Sequence, residues 1–297
     1  ASYTDSKANT AAEGVAAYTT AGVAAITGDA KLFFPVGLFT GLSTDFFGDM
    51  LREGLKASKV SLAFIKDWDR PSTLAFVKLT DGHARYSFFD DNSAGRMLVK
   101  RDLPKLDKKI QALHFGSISL IPEPGGKTLE ALMTREAKAR VICLDPNIRP
   151  GMIKDRKKHM ARLHRMIAMA DIVKVSDEDV AWMTGKDDAA AAARKWLKLG
   201  AKLVVVTRGG KGVEAFTAQG AMSMAAQKVK VADTVGAGDT FTAGLLTALR
   251  AMKLLDKTKL AALKAEDLAL ALGFAAKAAS ITCSRPGANP PWASEMV

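Results

Sequence analysis

Residues 233–244 read Asp-Thr-Val-Gly-Ala-Gly-Asp-Thr-Phe-Thr-Ala-Gly, and apolar residues then recur at Phe241, Leu245, Leu249 and Met252 with helical spacing. The pattern predicts a glycine-containing turn that opens a helix. The first backbone N–H groups of a helix have no acceptor within it, and the positive end of its dipole points the same way. Such a junction can hold an anion. Gly236 and Gly238 carry no Cβ, and Ala237 is the smallest alternative between them, so the backbone can curl closely around a phosphate. Asp239 follows directly, where its carboxylate could take a proton from an attacking hydroxyl. A base beside a cradle of amides suits phosphoryl transfer, in which the protein mainly aligns the reactants and stabilises charge. An aspartate at a helix start can equally be an N-cap, and the short Gly-x-Gly-Asp string does not separate these readings.

From about residue 110 onward, short β-branched runs alternate with segments of helical periodicity, the pattern of a parallel sheet covered by helices. Strands are expected over 112–115, 141–145, 172–175 and 203–207, and helices over 128–138 and 157–169. Near-continuous apolar strands suit a sheet buried on both faces. Residues 72–89 instead read as two alternating strands around the turn Asp81-Gly82, a hairpin outside the main sheet. The glycines of RGGKGVEAF after Thr207 predict a tight connection into a further strand, and Val229–Val231 leads into the 233–244 segment. Residues 10–31 are rich in Ala, Thr and Gly without a firm period.

With 297 residues, 48% of them apolar and 25% charged, the chain can bury one large layered core with a small appendage. It contains no apolar run of the roughly 20 residues that a membrane helix needs. Its start lacks a basic segment followed by an apolar one, so a cytoplasmic protein without membrane association is expected. Cys143 and Cys283 stand in apolar or small-residue surroundings without metal-ligand spacing, and buried free thiols are expected. The formal charge of +12 would attract any anionic partner. The lysines and arginines are dispersed over what read as exposed helix faces, and no aromatic stacking pattern accompanies them, so a nucleic-acid partner is not expected.

The longer string DTVGAGDTF resembles the C-terminal signature of the ribokinase-like (PfkB) family of carbohydrate kinases. The resemblance extends through GLSTDFFGDML at 41–51, HFGSISL at 114–120, DPNIRP at 145–150 and VTRGGKGV at 206–213, and is greatest to the fructokinases. It implies an α/β fold, a Rossmann-like three-layer sandwich with a mostly parallel central sheet and a small β-lid. The whole chain would be one such domain, with its lid formed by an N-terminal portion and roughly residues 70–98. The implied activity is ATP-dependent phosphorylation of a sugar hydroxyl, with fructose as acceptor and 2-keto-3-deoxygluconate or ribose as alternatives. In that scheme Asp239 is the general base, and Gly236, Ala237 and Gly238 form the anion hole. Thr207, Gly209 and Gly212 belong to the nucleotide-contacting turn, and Lys174 and Ser176 face the nucleotide as well. Asp179 of KVSDEDV falls where the family helps hold Mg²⁺ through water, although Ser176 replaces the usual amide and Asp179 is a methylene shorter than glutamate. A helix start with Ser176 as N-cap fits the same residues. Asp233 and Thr234 match positions that contribute to a monovalent-cation (K⁺) site, with help from the region 284–287. Asn147 and Arg149 lie near the substrate or the moving phosphate, Asn92 of the lid approaches the sugar, and Asp45 and Gly48 form a structural strand-to-helix turn. A homodimer through the lid strands is implied.

Upstream of Pro35, the family's early aspartate and its Gly-Gly-x-x-x-Asn element, both sugar-binding, have no counterpart: Thr19 and Thr20 stand at the glycine pair and Ala24 at the asparagine. A changed sugar site, a catalytically silent relative that only binds sugar or nucleotide, and an unfaithful reading of the first 34 residues would each account for this. The abrupt loss of resemblance at one place favours the last.

Overall fold

In a computed structural model, residues 36–80 and 83–296 are described, with residues 77–80 and 83–87 described by their backbone only. Thr19, Thr20, Ala24 and the turn residues Asp81 and Gly82 lie outside the described residues.

The first described elements are β1 (Thr40–Ser43), α1 (Phe46–Ala57) and β2 (Ile65–Trp68), with β1 and β2 paired in parallel. The strand-to-helix turn expected at Asp45 and Gly48 is present. Asp45 caps α1 by accepting from Gly48 N at 2.8 Å, and it also accepts from Ser72 N and Ser72 Oγ at 2.9 and 2.8 Å. Gly48 is confined by space, since a Cβ there would stand 2.0 Å from the Ser43 carbonyl oxygen. The expected hairpin follows as β3 (Leu74–Thr80) and β4 (His83–Phe89), antiparallel and forming a sheet of their own.

The main body alternates as predicted: β5 (Ala112–Gly116), α2 (Gly125–Glu136), β6 (Val141–Asp145), α3 (Arg156–Ile167), β7 (Ile172–Ser176), α4 (Asp177–Thr184), α5 (Ala189–Leu199) and β8 (Leu203–Thr207). Next come β9 (Val213–Thr217), β10 (Gly220–Met224), α6 (Ala237–Ala251), α7 (Lys257–Ala261) and α8 (Ala265–Cys283). The sheet order is β10-β9-β8-β7-β6-β5, with β5 to β8 parallel and β9 and β10 antiparallel. Helix α2 begins at Gly125 rather than at Thr128 as expected. Glycine serves there because a Cβ on Gly125 or Gly126 would meet the Arg96 or Leu120 carbonyl oxygen at 2.6 or 2.8 Å. Residues 225–232, including Val229–Val231, have no regular structure.

Alternation along the buried strands divides the core in two. Ile142, Leu144, Val204 and Val206 face α2 to α5 with Leu163 and Trp196, whereas Val141, Cys143, Leu203 and Val205 face α6 to α8 with Phe241, Leu245 and Leu272. Three layers result. The two helices α6 and α8 lie unusually close, for a Cβ on Gly244 would stand 2.8 Å from Ala275 Cα. Cys143 is buried and Cys283 half-buried; both are free, and burial pushes both thiols up.

His114 on β5 and His159 on α3 have their pKa lowered to about 4, mainly by burial and then by the nearby cations Lys174 and Arg162 respectively. Among the described residues both His114 ring nitrogens are buried without a hydrogen-bond partner, although His114 also lines an open cleft. The folded form keeps these rings neutral, so the unfolded chain binds more protons between its own value near 6.5 and about 4. Stability is therefore complete above about pH 6.5 and falls as pH drops toward 4. Urea denaturation of wild type and His114→Phe across that window should show the variant losing less, by up to about 3 kcal/mol. Parallel curves would show that His114 does not carry the loss.

Candidate active site

Strands β6, β7 and β8 run parallel, so their last residues, Asp145, Ser176 and Thr207, come together at one edge of the sheet. Ligands of open parallel sheets bind at this carboxyl edge. Helix α6 delivers its first turn to the same place. Gly236 is its N-cap in the left-handed region, with φ of 76°, and a Cβ there would also stand 2.8 Å from Ala288 Cβ. Asp239 lies in the first turn and is 7% exposed. The helix opening expected from the spacing is therefore present, and Gly236 rather than Asp239 occupies the N-cap.

Lys174 rises from β7 beneath this turn. Its Nζ donates to Asp145 Oδ2 at 2.9 Å, and a Cβ on Gly238 would lie only 3.0 Å from that nitrogen. The pair is sealed, with side-chain exposures of 5% for Lys174 and 1% for Asp145. Burial alone would lower the Lys174 pKa, but the Asp145 carboxylate at its side, with Asp239 and Asp179 beyond, outweighs burial and raises it. The ammonium is thus fixed as a cation at the foot of the turn.

Asp233 braces the turn from the other side. Its Oδ1 accepts from Val235 N at 3.0 Å and its Oδ2 from Gly287 N at 2.9 Å, while Ala232 N and Asp233 N donate to the Cys283 carbonyl. The region 284–287 and the Asp233-Thr234 segment are therefore adjacent. Thr240 and Thr282 join α6 to the end of α8 through their hydroxyls at 3.0 Å.

Asp179 sits within a capping box: Ser176 Oγ accepts from Asp179 N at 3.0 Å, and Asp179 Oδ2 accepts from Ser176 N at 2.9 Å. Its Oδ1 accepts from Ile148 N at 2.8 Å and so ties the DPNIRP loop to the start of α4. Both oxygens already serve the backbone, which is the helix-start arrangement. Among the described residues no three His, Cys, Asp or Glu side chains converge as a metal cage. Asn147 holds a positive φ of 40°, and Arg149 Nη1 donates to Asn147 Oδ1 at 2.6 Å, so these two form one local unit.

The turn after β8 curls through Gly209 and Gly212, both at positive φ, with Arg208 N donating to the Gly212 carbonyl at 2.8 Å. Arg208 itself bonds Asp187 and Glu214, which fixes the turn from outside. Asn92 lies apart from this group: it is exposed in the turn after β4 and accepts from Arg70. The structure thus brings together Lys174, Ser176, Asp179, Asn147, Arg149 and the turn of Asp239. Asp145 and Arg208 were not singled out from the sequence. A carboxylate closing the wholly apolar strand Val-Ile-Cys-Leu, facing a lysine within Ile-Val-Lys-Val, was the signal for the first.

Comparison with known proteins matches residues 3–295 to the family described as pfkB family carbohydrate kinase. A fructokinase of Rhizobium leguminosarum bv. trifolii is 51% identical over 238 residues, covering 80% of this chain and 73% of that protein. A fructokinase of Klebsiella pneumoniae is 34% identical, covering 87% of this chain and 82% of its own length. Among solved structures, the fructokinase of Xylella fastidiosa with bound ATP superposes with a TM-score of 0.86 at 26% identity, covering 96% of this chain and 88% of that one.

Gly236 and Gly209 separate strain from crowding, because a Cβ on Gly209 meets nothing within 4 Å. Gly209→Ala should cost about 1–2 kcal/mol through its left-handed backbone alone. Gly236→Ala should cost at least ~1 kcal/mol more, because Ala288 blocks it as well. Equal costs by chemical denaturation would show that the contact with Ala288 does not constrain the turn.

Proposed function

The chain belongs to the pfkB family of carbohydrate kinases, and from that premise we propose that it transfers the γ-phosphoryl group of ATP to a hydroxyl of fructose. One observation carries the reading: Asp239 and the glycine turn that opens its helix stand at the carboxyl edge of the parallel sheet, over a buried ammonium. The fructokinase relatives, one at 51% identity, support fructose as the acceptor.

In this mechanism the Asp239 carboxylate accepts the proton of the attacking sugar hydroxyl as its oxygen meets phosphorus. The N–H groups of Gly236, Ala237 and Gly238 receive the charge that develops on the transferred group, that of Ala237 by sharing the bond it makes to the Thr234 carbonyl at 3.2 Å. Gly209 and Gly212 let the backbone of the turn after Thr207 approach the nucleotide closely. Ser176 opens α4 beside it, and Arg149, oriented by Asn147, can present its fork to phosphate oxygens. Bound Mg²⁺ would neutralise charge on the phosphates. Asp179 fits a role toward it through water, because its oxygens keep spare lone pairs while already holding backbone amides. Asp233, with Thr234, fits a K⁺-type cation near the turn that it already braces. Asn92, on the lid, is assigned to the sugar side of the cleft.

We place the protein in the cytoplasm, in keeping with its two unbridged thiols, and as a homodimer built through the lid. No described helix is long and apolar enough to cross a membrane. Phe76 and Phe89 of the hairpin form an edge-to-face pair with centroids 5.5 Å apart, and both are more than half exposed. An apolar pair left in the open on a small sheet is a surface that a second copy would cover.

With fructose, ATP and Mg²⁺, wild type should release ADP at rates well above those with ribose or 2-keto-3-deoxygluconate. Asp239→Asn should lower kcat by roughly 10²- to 10⁴-fold with both KM values nearly unchanged. No turnover by wild type with any sugar, despite binding, would identify a silent relative instead. Replacing Phe76 and Phe89 together by Ser should convert a dimer to a monomer in light scattering, and an unchanged mass would remove the lid from the interface.

A further inference from the structure

We propose that Asp145 is a positioning residue for phosphoryl transfer, holding the Lys174 ammonium beneath the Gly236–Gly238 turn so that the cation reinforces the amides that receive the phosphoryl anion. The inference rests on the reading of that turn as the anion site.

The side chains of Lys174 and Asp145 are 5% and 1% exposed, so water screens neither charge. A buried ion pair seldom gains more stability than two well-packed apolar residues would, because both ions must be desolvated. This pair is also poorly completed as a structural device: among the described residues, Asp145 Oδ1 is buried without a hydrogen-bond partner. Only Oδ2 is engaged, at 2.9 Å from Lys174 Nζ. What the pair secures is the position of the nitrogen.

That position is functional. The ammonium lies where a Cβ on Gly238 would come within 3.0 Å, so cation and amide turn are in contact distance of one another. Asp239 and Asp179 also act on Lys174 electrostatically, which makes this edge of the sheet rich in carboxylates. A phosphate entering there needs a positive charge in a fixed place, and Asp145 is the group bonded to the Lys174 ammonium there. A flexible lysine stem, unanchored, would turn toward Asp239 and weaken the base. Asp145 is also the last residue of β6, so the strand itself sets its place, and Gly116 lets the chain pass within 2.4 Å of its carbonyl oxygen, measured from where a Cβ would stand.

The experiment is steady-state kinetics of the full chain for Asp145→Asn, Lys174→Met, the double variant and Asp145→Glu, with fructose, ATP and Mg²⁺, each checked for folding by circular dichroism. Asp145→Asn should lower kcat by about 30-fold or more while the fructose KM stays within about 3-fold, and Asp145→Glu should recover most of the loss. The double variant should be no slower than Lys174→Met alone, because Asp145 acts through Lys174. Should Asp145→Asn not fold, the double variant, which leaves no unpaired buried charge, still decides the matter against Lys174→Met. A kcat for Asp145→Asn within about 3-fold of wild type, or a double variant slower by the product of both effects, would overturn the proposal. Wild type that phosphorylates no sugar would overturn the reading beneath it instead.

Discussion

The first amides of helix α6 have no partners inside their own helix, Ala237 N donating instead to the Thr234 carbonyl ahead of it, and the structure sets this turn at the carboxyl edge of a parallel sheet. Placement comes from packing. Gly244 lets α6 settle against α8 at Ala275, and Phe241, Leu245 and Leu249 lock the helix onto one face of the sheet. Thr240 is bonded to Thr282, and Asp233 ties the approach to Gly287. The turn is therefore held from behind, from below and from its own N-terminal side, which is how a site gains preorganisation without direct bonds to a ligand.

Much of this was legible from residues. Strands β6, β7 and β8 are short, mainly apolar runs, and burial on both faces made their limits nearly coincide with those read from the sequence. The start of α2 was less legible, because Pro124, Gly125 and Gly126 read as a loop while tight contacts with Arg96 and Leu120 make glycine the residue that fits a helix there. Helix α8 carries Ala271, Ala275 and Ala278 on its buried face, and such small side chains give little hydrophobic period to read. Strand β10 is an edge strand with exposed positions, for which alternation is weak evidence.

The site divides along the same line. Asp239 and its glycines are contiguous in sequence, so their chemistry could be read in one string. Asp179 shows the limit of that approach: spacing matched a metal-related element, while the fold uses both its oxygens to cap α4 and to anchor Ile148. These roles are compatible only because a carboxylate can accept more than two hydrogen bonds. Partnerships across strands, such as Lys174 with Asp145, depend on which strands become neighbours and cannot be found by local spacing.

The relation between Lys174 and Gly238 shows how chemistry constrains sequence in both directions. Any side chain at 238 would meet the ammonium within 3.0 Å of its Cβ, so a residue that is small for the sake of the anion is also small for the sake of the cation. Conversely, a lysine in the middle of Ile-Val-Lys-Val is tolerable in a dry sheet only if a carboxylate lies on the adjacent strand and a turn without side chains lies above. Glycine, lysine and aspartate at this edge therefore form one unit drawn from three separate elements. Losing the lysine or the aspartate leaves an unpaired buried charge, and a Cβ at 238 presses on the end of the lysine that Asp145 holds, so the three positions constrain one another.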